Sequence, residues 1–168
     1  MHIKYSTYVS PLGTLYLYGW GRHVVRLDFE QVPVDAPYFA KYFTSIDVSE
    51  GTSPVIETLK GELEAYFYKK SKSFSVPFRL FGTEFRQNVW RLLCDVPYGQ
   101  TATYGALAAR LGKPRACRAV GGAIHNNPLA LVVPCHRVIG ADGSLTGFGG
   151  GLDRKAYLLQ LEGIHYTK

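Results

Sequence analysis

Three short apolar-rich stretches open the chain, His2–Val9, Thr14–Trp20 and Val24–Phe29, all rich in Tyr, Val, Leu and Thr and separated by turn residues. These residue types favour strands, and Ser10-Pro11-Leu12-Gly13 and Gly19–Gly21 predict the turns between them. The segment reads as a short antiparallel meander. A Pro-rich loop around Pro33 and Pro37 follows. The pattern then changes: Ser53-Pro54 offers an N-cap and a first-turn proline ahead of Val55, Ile56, Leu59, Leu63, Tyr66 and Phe67, the signature of an amphipathic helix. Its Lys69, Lys70 and Lys72 tail suits a helix C-terminus. Residues 1–80 thus predict a small α/β domain, and the boundary is expected near Phe81.

The second half, residues 81–168, predicts mainly helices. One starts at Gly82-Thr83 and carries Phe85, Val89, Trp90, Leu92 and Leu93 to the stop at Pro97-Tyr98-Gly99. Thr103 caps a second, running through Leu107 and Leu111 to Gly112. A third is expected from Arg115 to about Ile124, and this pair with its tight turn is a helix-turn-helix candidate. Ala116, Cys117, Ala119, Gly121, Gly122 and Ala123 make the last of these helices small throughout, with Arg115 and Arg118 its only long side chains. Each interior glycine costs about 1 kcal/mol relative to alanine, so a close neighbour is implied, either a packed helix or a binding partner. Leu129–Val133 reads as a buried strand, and Asp153–Leu161 as a final helix ending at Glu162.

Composition narrows the class. The 168 residues are 46% hydrophobic and 19% charged, a globular balance, with no apolar run near the roughly 18 to 20 residues of a membrane span. Met1–Tyr8 lacks an apolar signal core, so the protein is expected to stay where it is made. Cys94, Cys117 and Cys135 form no CxxC and leave one unpaired under any scheme, which fits a reducing cytoplasm. The charge is asymmetric: residues 1–80 hold 9 Lys/Arg against 8 Asp/Glu, whereas residues 81–168 hold 10 against 5. Between Val96 and Ala141 there is no carboxylate, while Arg110, Lys113, Arg115, Arg118 and Arg137 all occur. Two readings follow, a polyanion-binding surface or a solvated basic face.

Candidate chemistry lies at Pro134-Cys135-His136-Arg137-Val138. A cysteine beside a histidine at the end of a buried strand is either a nucleophile or an inert core thiol. Neighbours on an extended chain face opposite ways, so a turn or a bridging water must connect Cys135 to His136. Glu162, at a helix end where its charge opposes the dipole, suits a carboxylate that orients a histidine. The Gly140–Gly151 run is too glycine-rich for packing and suits a lid, and it lacks the context of a dinucleotide fingerprint. The histidines and cysteines show no metal-ligand spacing, so no metal and no cofactor are expected.

Taken together, PCHRV at Pro134–Val138, Asn127-Pro128, RAVGGA at Arg118–Ala123, TYG at Thr103–Gly105, GFGGGL at Gly147–Leu152 and LLQLEG at Leu158–Gly163 closely resemble the O6-alkylguanine-DNA alkyltransferases. The resemblance covers Phe85–Gly163; the first half resembles the family only in layout and in its Ser-Pro-Leu-Gly turn. It implies a ribonuclease-H-like N-terminal α/β domain and a C-terminal winged helix-turn-helix domain that binds double-stranded DNA through the minor groove and flips out an alkylated guanine. It further implies that Cys135 accepts the alkyl group once, from O6 of guanine and also O4 of thymine, that His136 deprotonates it through a water, and that Glu162 holds His136. By the same resemblance Tyr104 donates to the leaving guanine, Asn127 braces the site, and Val138, Gly147, Phe148, Gly149 and Gly150 line the pocket. Arg118 would fill the place of the flipped base, with Thr103, Arg115, Ala119 and Gly121 on the DNA side.

The chemistry suits those residue types. A soft thiolate attacks a saturated carbon well, a free thiol is only a few per cent ionised at neutral pH, and the thioether product has no leaving group. Ala130 and Gly149 stand where many members carry proline and serine, which leaves the range of accepted alkyl groups open. The zinc-binding residues of some members are absent, since no cysteine precedes Cys94. The implied protein works in the cytoplasm, or the nucleus if eukaryotic, as a monomer needing no protein partner and no membrane. The alternative is a non-enzymatic sensor of alkylated DNA, which lacks the acceptor thiol; a winged-helix transcription factor and a cysteine hydrolase fit less well.

Overall fold

The three segments rich in Tyr, Val, Leu and Thr form the antiparallel meander expected of them. In the computed structural model, which describes residues 1–33 and 37–167, β1 (His2–Ser10), β2 (Gly13–Trp20) and β3 (His23–Asp28) are joined antiparallel. A fourth strand, β4 (Asp47–Glu50), pairs parallel to β1 and completes the order β3-β2-β1-β4. Only four residues long and polar at both ends, β4 carries no alternation strong enough to read from sequence. The expected Pro-rich loop is partly helical: α1 (Pro37–Tyr42) begins at Pro37, and residues 34–36 lie outside the described residues.

The amphipathic helix α2 (Pro54–Phe67) lays Val55, Ile56, Leu59, Leu63, Tyr66 and Phe67 onto β1, β2 and β3. Burial of such side chains is worth about 1.5–3 kcal/mol each, enough to hold the helix without a side-chain cap at Ser53. The approach is close. A Cβ added at Gly19 would lie 3.0 Å from Ile56, so at the β2 bulge between Tyr18 and Gly19 the helix side chains would have to give by a few tenths of an ångström to admit one. Ile3, Tyr18, Val25 and Phe39 form a further buried cluster, ringed by Trp20, Phe43 and Phe81.

The chain divides into two units, Met1–Phe81 and Gly82–Lys168, each described by itself. In the second, α3 (Glu84–Cys94) is capped by Thr83, whose hydroxyl accepts from the Arg86 N–H at 3.3 Å. Trp90 on α3 is buried and donates its indole N–H to the Ala123 carbonyl at 2.8 Å, tying α3 to α5 (Cys117–His125). The two-residue strand β5 (Ala102–Thr103) leads into α4 (Tyr104–Arg110), where the Thr103 hydroxyl accepts from the Ala106 N–H at 3.1 Å. Helices α4 and α5 pack together as a helix-turn-helix, with Gly112 at φ +70° ending the first. Helix α5 starts two residues later than expected because Lys113 and Ala116 close a separate turn first. Strand β6 (Val138–Ile139) pairs parallel with β5, and α6 (Leu152–Leu161) closes the unit.

Candidate active site

The predicted strand at Leu129–Val133 is not one, and this correction shapes the site. Asn127 captures both ends of the segment: its amide donates to the Val133 carbonyl at 2.8 Å, and its Oδ1 accepts from the Leu129 N–H at 3.0 Å. The chain between them folds into consecutive turns, Val133 N–H to Leu129 O and Val132 N–H to Ala130 O, and Leu131 takes φ +69°. A leucine in the left-handed region is strained, and the surrounding burial holds it there. Every residue from Pro128 to Ile139 is buried, which produces an uninterrupted apolar run without any strand. Cys135 therefore opens a single 3-10 turn, Cys135–Arg137, rather than ending an extended segment.

Within that turn the nucleophile candidate and its neighbours are buried. Cys135 is 6% exposed and His136 is fully buried. Glu162, just past the end of α6, is buried with them, and its Oε1 lies 2.7 Å from His136 Nε2. A carboxylate only accepts, so Nε2 carries the ring hydrogen and Nδ1 keeps the lone pair. Among the described residues Nδ1 has no hydrogen-bond partner, which leaves its lone pair available as a base. Burial lowers the basicity of His136, opposed by Glu162 and reinforced by Arg137 and Lys155. Burial likewise pushes the Cys135 thiol up; Asn127, the charge of Lys155 and the backbone N–H groups of Cys135 and His136 pull the other way. The resting pair is thus neutral thiol and neutral imidazole.

Three participants lie outside the residues that the sequence singled out for this site. Arg137 belongs to the expected basic footprint, and the structure corrects that assignment: it is buried and held internally. Its Nε donates to Glu162 Oε2 at 2.9 Å, Nη2 to Oε1 at 3.0 Å and Nη1 to the Val96 carbonyl at 2.6 Å. Gly99 adds its N–H to Glu162 Oε2 at 3.2 Å, from a turn at φ +78° that glycine alone adopts readily. Lys155 on α6 is fully buried, with its ammonium donating to the carbonyls of Val138 and Thr146, and its pKa is lowered by burial to about 8. A signal was available: Lys155, Leu158, Leu159 and Glu162 share one stripe at i, i+3, i+4 and i+7, so two charges occupy the apolar face of α6.

The remaining candidates fall into two groups. Val138 is buried; in the Gly140–Gly151 segment Gly147 and Gly149 are exposed, while Phe148 and Gly150 are half-buried. Tyr104, half-buried at the start of α4, receives the Thr146 hydroxyl from this segment at 2.9 Å, and a Cβ added at Gly121 would sit 3.7 Å from its ring. On the other face, Arg115, Arg118 and Ala119 are exposed around the start of α5, with Thr103 half-buried. The small residues of α5 serve two ends: Gly121 lies under Tyr104, whereas Gly122 faces open space. Cys94 and Cys117 are exposed and free. Among the described residues no group of His, Cys, Asp or Glu could hold a metal ion, and no helix is long and apolar enough to cross a membrane.

Comparison with known proteins covers both units. Residues 3–80 match the 6-O-methylguanine DNA methyltransferase, ribonuclease-like domain, and residues 84–164 match the DNA binding domain of the same family. The methylated-DNA–protein-cysteine methyltransferase of Haemophilus influenzae is 40% identical over 166 residues, spanning 98% of this chain and 88% of that protein. Its Methanosarcina barkeri counterpart is 42% identical over 164 residues, spanning 94% and 96%. Among solved structures, Mycobacterium tuberculosis OGT in complex with DNA superposes with a TM-score of 0.80 at 41% identity, covering 96% of this chain and 92% of that one. The O6-methylguanine-DNA methyltransferase of Pyrococcus kodakaraensis strain KOD1 gives 0.63 at 26% identity, covering 96% and 99%. Similarity that runs through both domain models and nearly the full length of these relatives means that the chain belongs to the 6-O-methylguanine DNA methyltransferase family.

Proposed function

We propose that this protein repairs DNA directly, transferring the alkyl group of O6-alkylguanine, and of O4-alkylthymine, from double-stranded DNA to the Cys135 sulfur. The observation that carries the reading is the buried His136, with Nε2 committed to Glu162 and Nδ1 bare, directly after a buried thiol. His136 Nδ1 takes the thiol proton through a water, and the imidazolium is stabilised by Glu162. The thiolate pair forms the S–C bond while the C–O pair returns to guanine, whose developing charge accepts a hydrogen bond from the Tyr104 phenol. Lys155 adds positive charge near the sulfur, which favours the thiolate.

Thr103, Arg115, Arg118, Ala119 and Gly121 present α4 and α5 to the DNA, with Arg118 entering the stack in place of the extruded base. Val138 and Gly147–Gly150 enclose the flipped base. The thioether has no leaving group, so each molecule acts once. Three free cysteines support a reducing, cytoplasmic setting.

The test is incubation with duplex DNA containing O6-methylguanine, followed by intact-mass measurement and peptide mapping. One methyl group on Cys135 per chain, absent in C135A, is the expected result. Tight binding without an adduct would instead make the protein a lesion sensor, and repeated turnover or an adduct on Cys117 would overturn the mechanism.

A further inference from the structure

We propose that Thr146 is a positioning residue for the Tyr104 phenol, holding its hydrogen toward the leaving guanine; this rests on the alkyl-transfer reading above. The Thr146 hydroxyl donates to the Tyr104 oxygen at 2.9 Å. A phenol oxygen has one hydrogen and two acceptor sites, so this bond occupies an acceptor site and leaves the phenol hydrogen free to be given elsewhere. As the C–O bond to the alkyl group breaks, that hydrogen shifts toward guanine and the phenol oxygen gains negative charge. The bond from Thr146 then strengthens, an interaction worth more in the transition state than before it.

The placement of Thr146 is not left to its glycine-rich surroundings. Its carbonyl accepts from Lys155 Nζ at 2.8 Å, and the same ammonium also holds the Val138 carbonyl on the strand that follows the Cys135 turn. Lys155 is fully buried on α6, so its two bonds fix one point of the glycine-rich loop to the strand after the Cys135 turn. The Tyr104 ring lies over α5 at Gly121, where a side chain larger than hydrogen would meet it. Ring and hydroxyl thus meet different elements, and the Thr146 side chain is where the loop meets the helix-turn-helix.

The experiment compares wild type, T146V, T146A, T146S, Y104F and T146V/Y104F in single-turnover transfer from methylated duplex, with duplex affinity measured alongside. Loss of one hydrogen bond to a group that gains charge predicts about fivefold to tenfold slower transfer in T146V and T146A at unchanged affinity. T146S is expected within about twofold of wild type, and T146V in the Y104F background is expected to add nothing. The proposal is overturned by wild-type rates in T146V and T146A, by an equal loss in the Y104F background, by a serine variant as slow as valine, or by a loss confined to DNA affinity. If T146V does not fold, the T146A and T146S pair decides. A wild-type protein that forms no Cys135 adduct would instead refute the functional reading itself.

Discussion

Replacing Arg137 with methionine removes the cation at the centre of the buried network while keeping most of its volume. Three hydrogen bonds disappear, at 2.9 and 3.0 Å to Glu162 and 2.6 Å to the Val96 carbonyl. Glu162 keeps His136 and the Gly99 N–H, but its charge is no longer balanced, and Val96 loses the guanidinium donor. Removing one partner of a buried ion pair costs about 3–5 kcal/mol. In an E162Q background the charge to be left unbalanced is already gone, so the same change should cost about 1–2 kcal/mol there. A coupling energy of about 2–3 kcal/mol is therefore expected from the double-mutant cycle. The assay is urea unfolding in a W20F background, where Trp90 alone reports on the second unit. Effects that add to within about 0.5 kcal/mol would refute the idea that Arg137 acts through Glu162. A second readout comes from His136, which Arg137 makes less basic. In R137M the acid limb of the transfer rate should move to higher pH.

Four further outcomes are expected. Because His136 is less basic folded than unfolded, stability is complete above its ordinary value near 6.5 and falls as pH drops through it toward the folded value; urea titrations at pH 8 and 5.5 should show a loss that H136Q reduces, and an equal loss in both would place the acid sensitivity elsewhere. N127A strips the partners of Leu129 N–H and Val133 O, so it should cost about 2 kcal/mol and slow transfer, whereas unchanged unfolding midpoints would show that the turn stands without it. Thiol labelling of the intact protein should modify the exposed Cys117 well before the buried Cys135, and the reverse order would contradict the burial described for the site. R118A should slow repair of duplex strongly, of single strands less and of the free alkylated base hardly at all, because base extrusion is the step it assists; equal losses on all three would reject that role.

Residue types and their spacing were enough to place most of the elements. The Tyr, Val, Leu and Thr content of β1–β3 and the i, i+3, i+4 spacing in α2 and α3 give the type of each element, and caps such as Thr83 and Thr103 mark where helices begin, because these signals are local. Strand β4 escaped, since its place beside β1 comes from the sheet and not from its own four residues. The motif around Cys135, His136 and Glu162 was visible as chemistry-bearing types in order, but their meeting was not. An apolar run such as Leu129–Val133 has the same composition as a strand or as a knot of buried turns, and the capture of both its ends by the Asn127 side chain selects the second. The sign of a charge is likewise written in the chain while its surroundings are not: Arg137 and Arg118 look alike in sequence, yet one is closed inside with Glu162 and the other stands free on α5. Burial decides which becomes part of the internal scaffold and which faces solvent, because desolvating a cation is tolerable only where carboxylate or carbonyl partners converge on it, and that convergence exists only in the folded molecule.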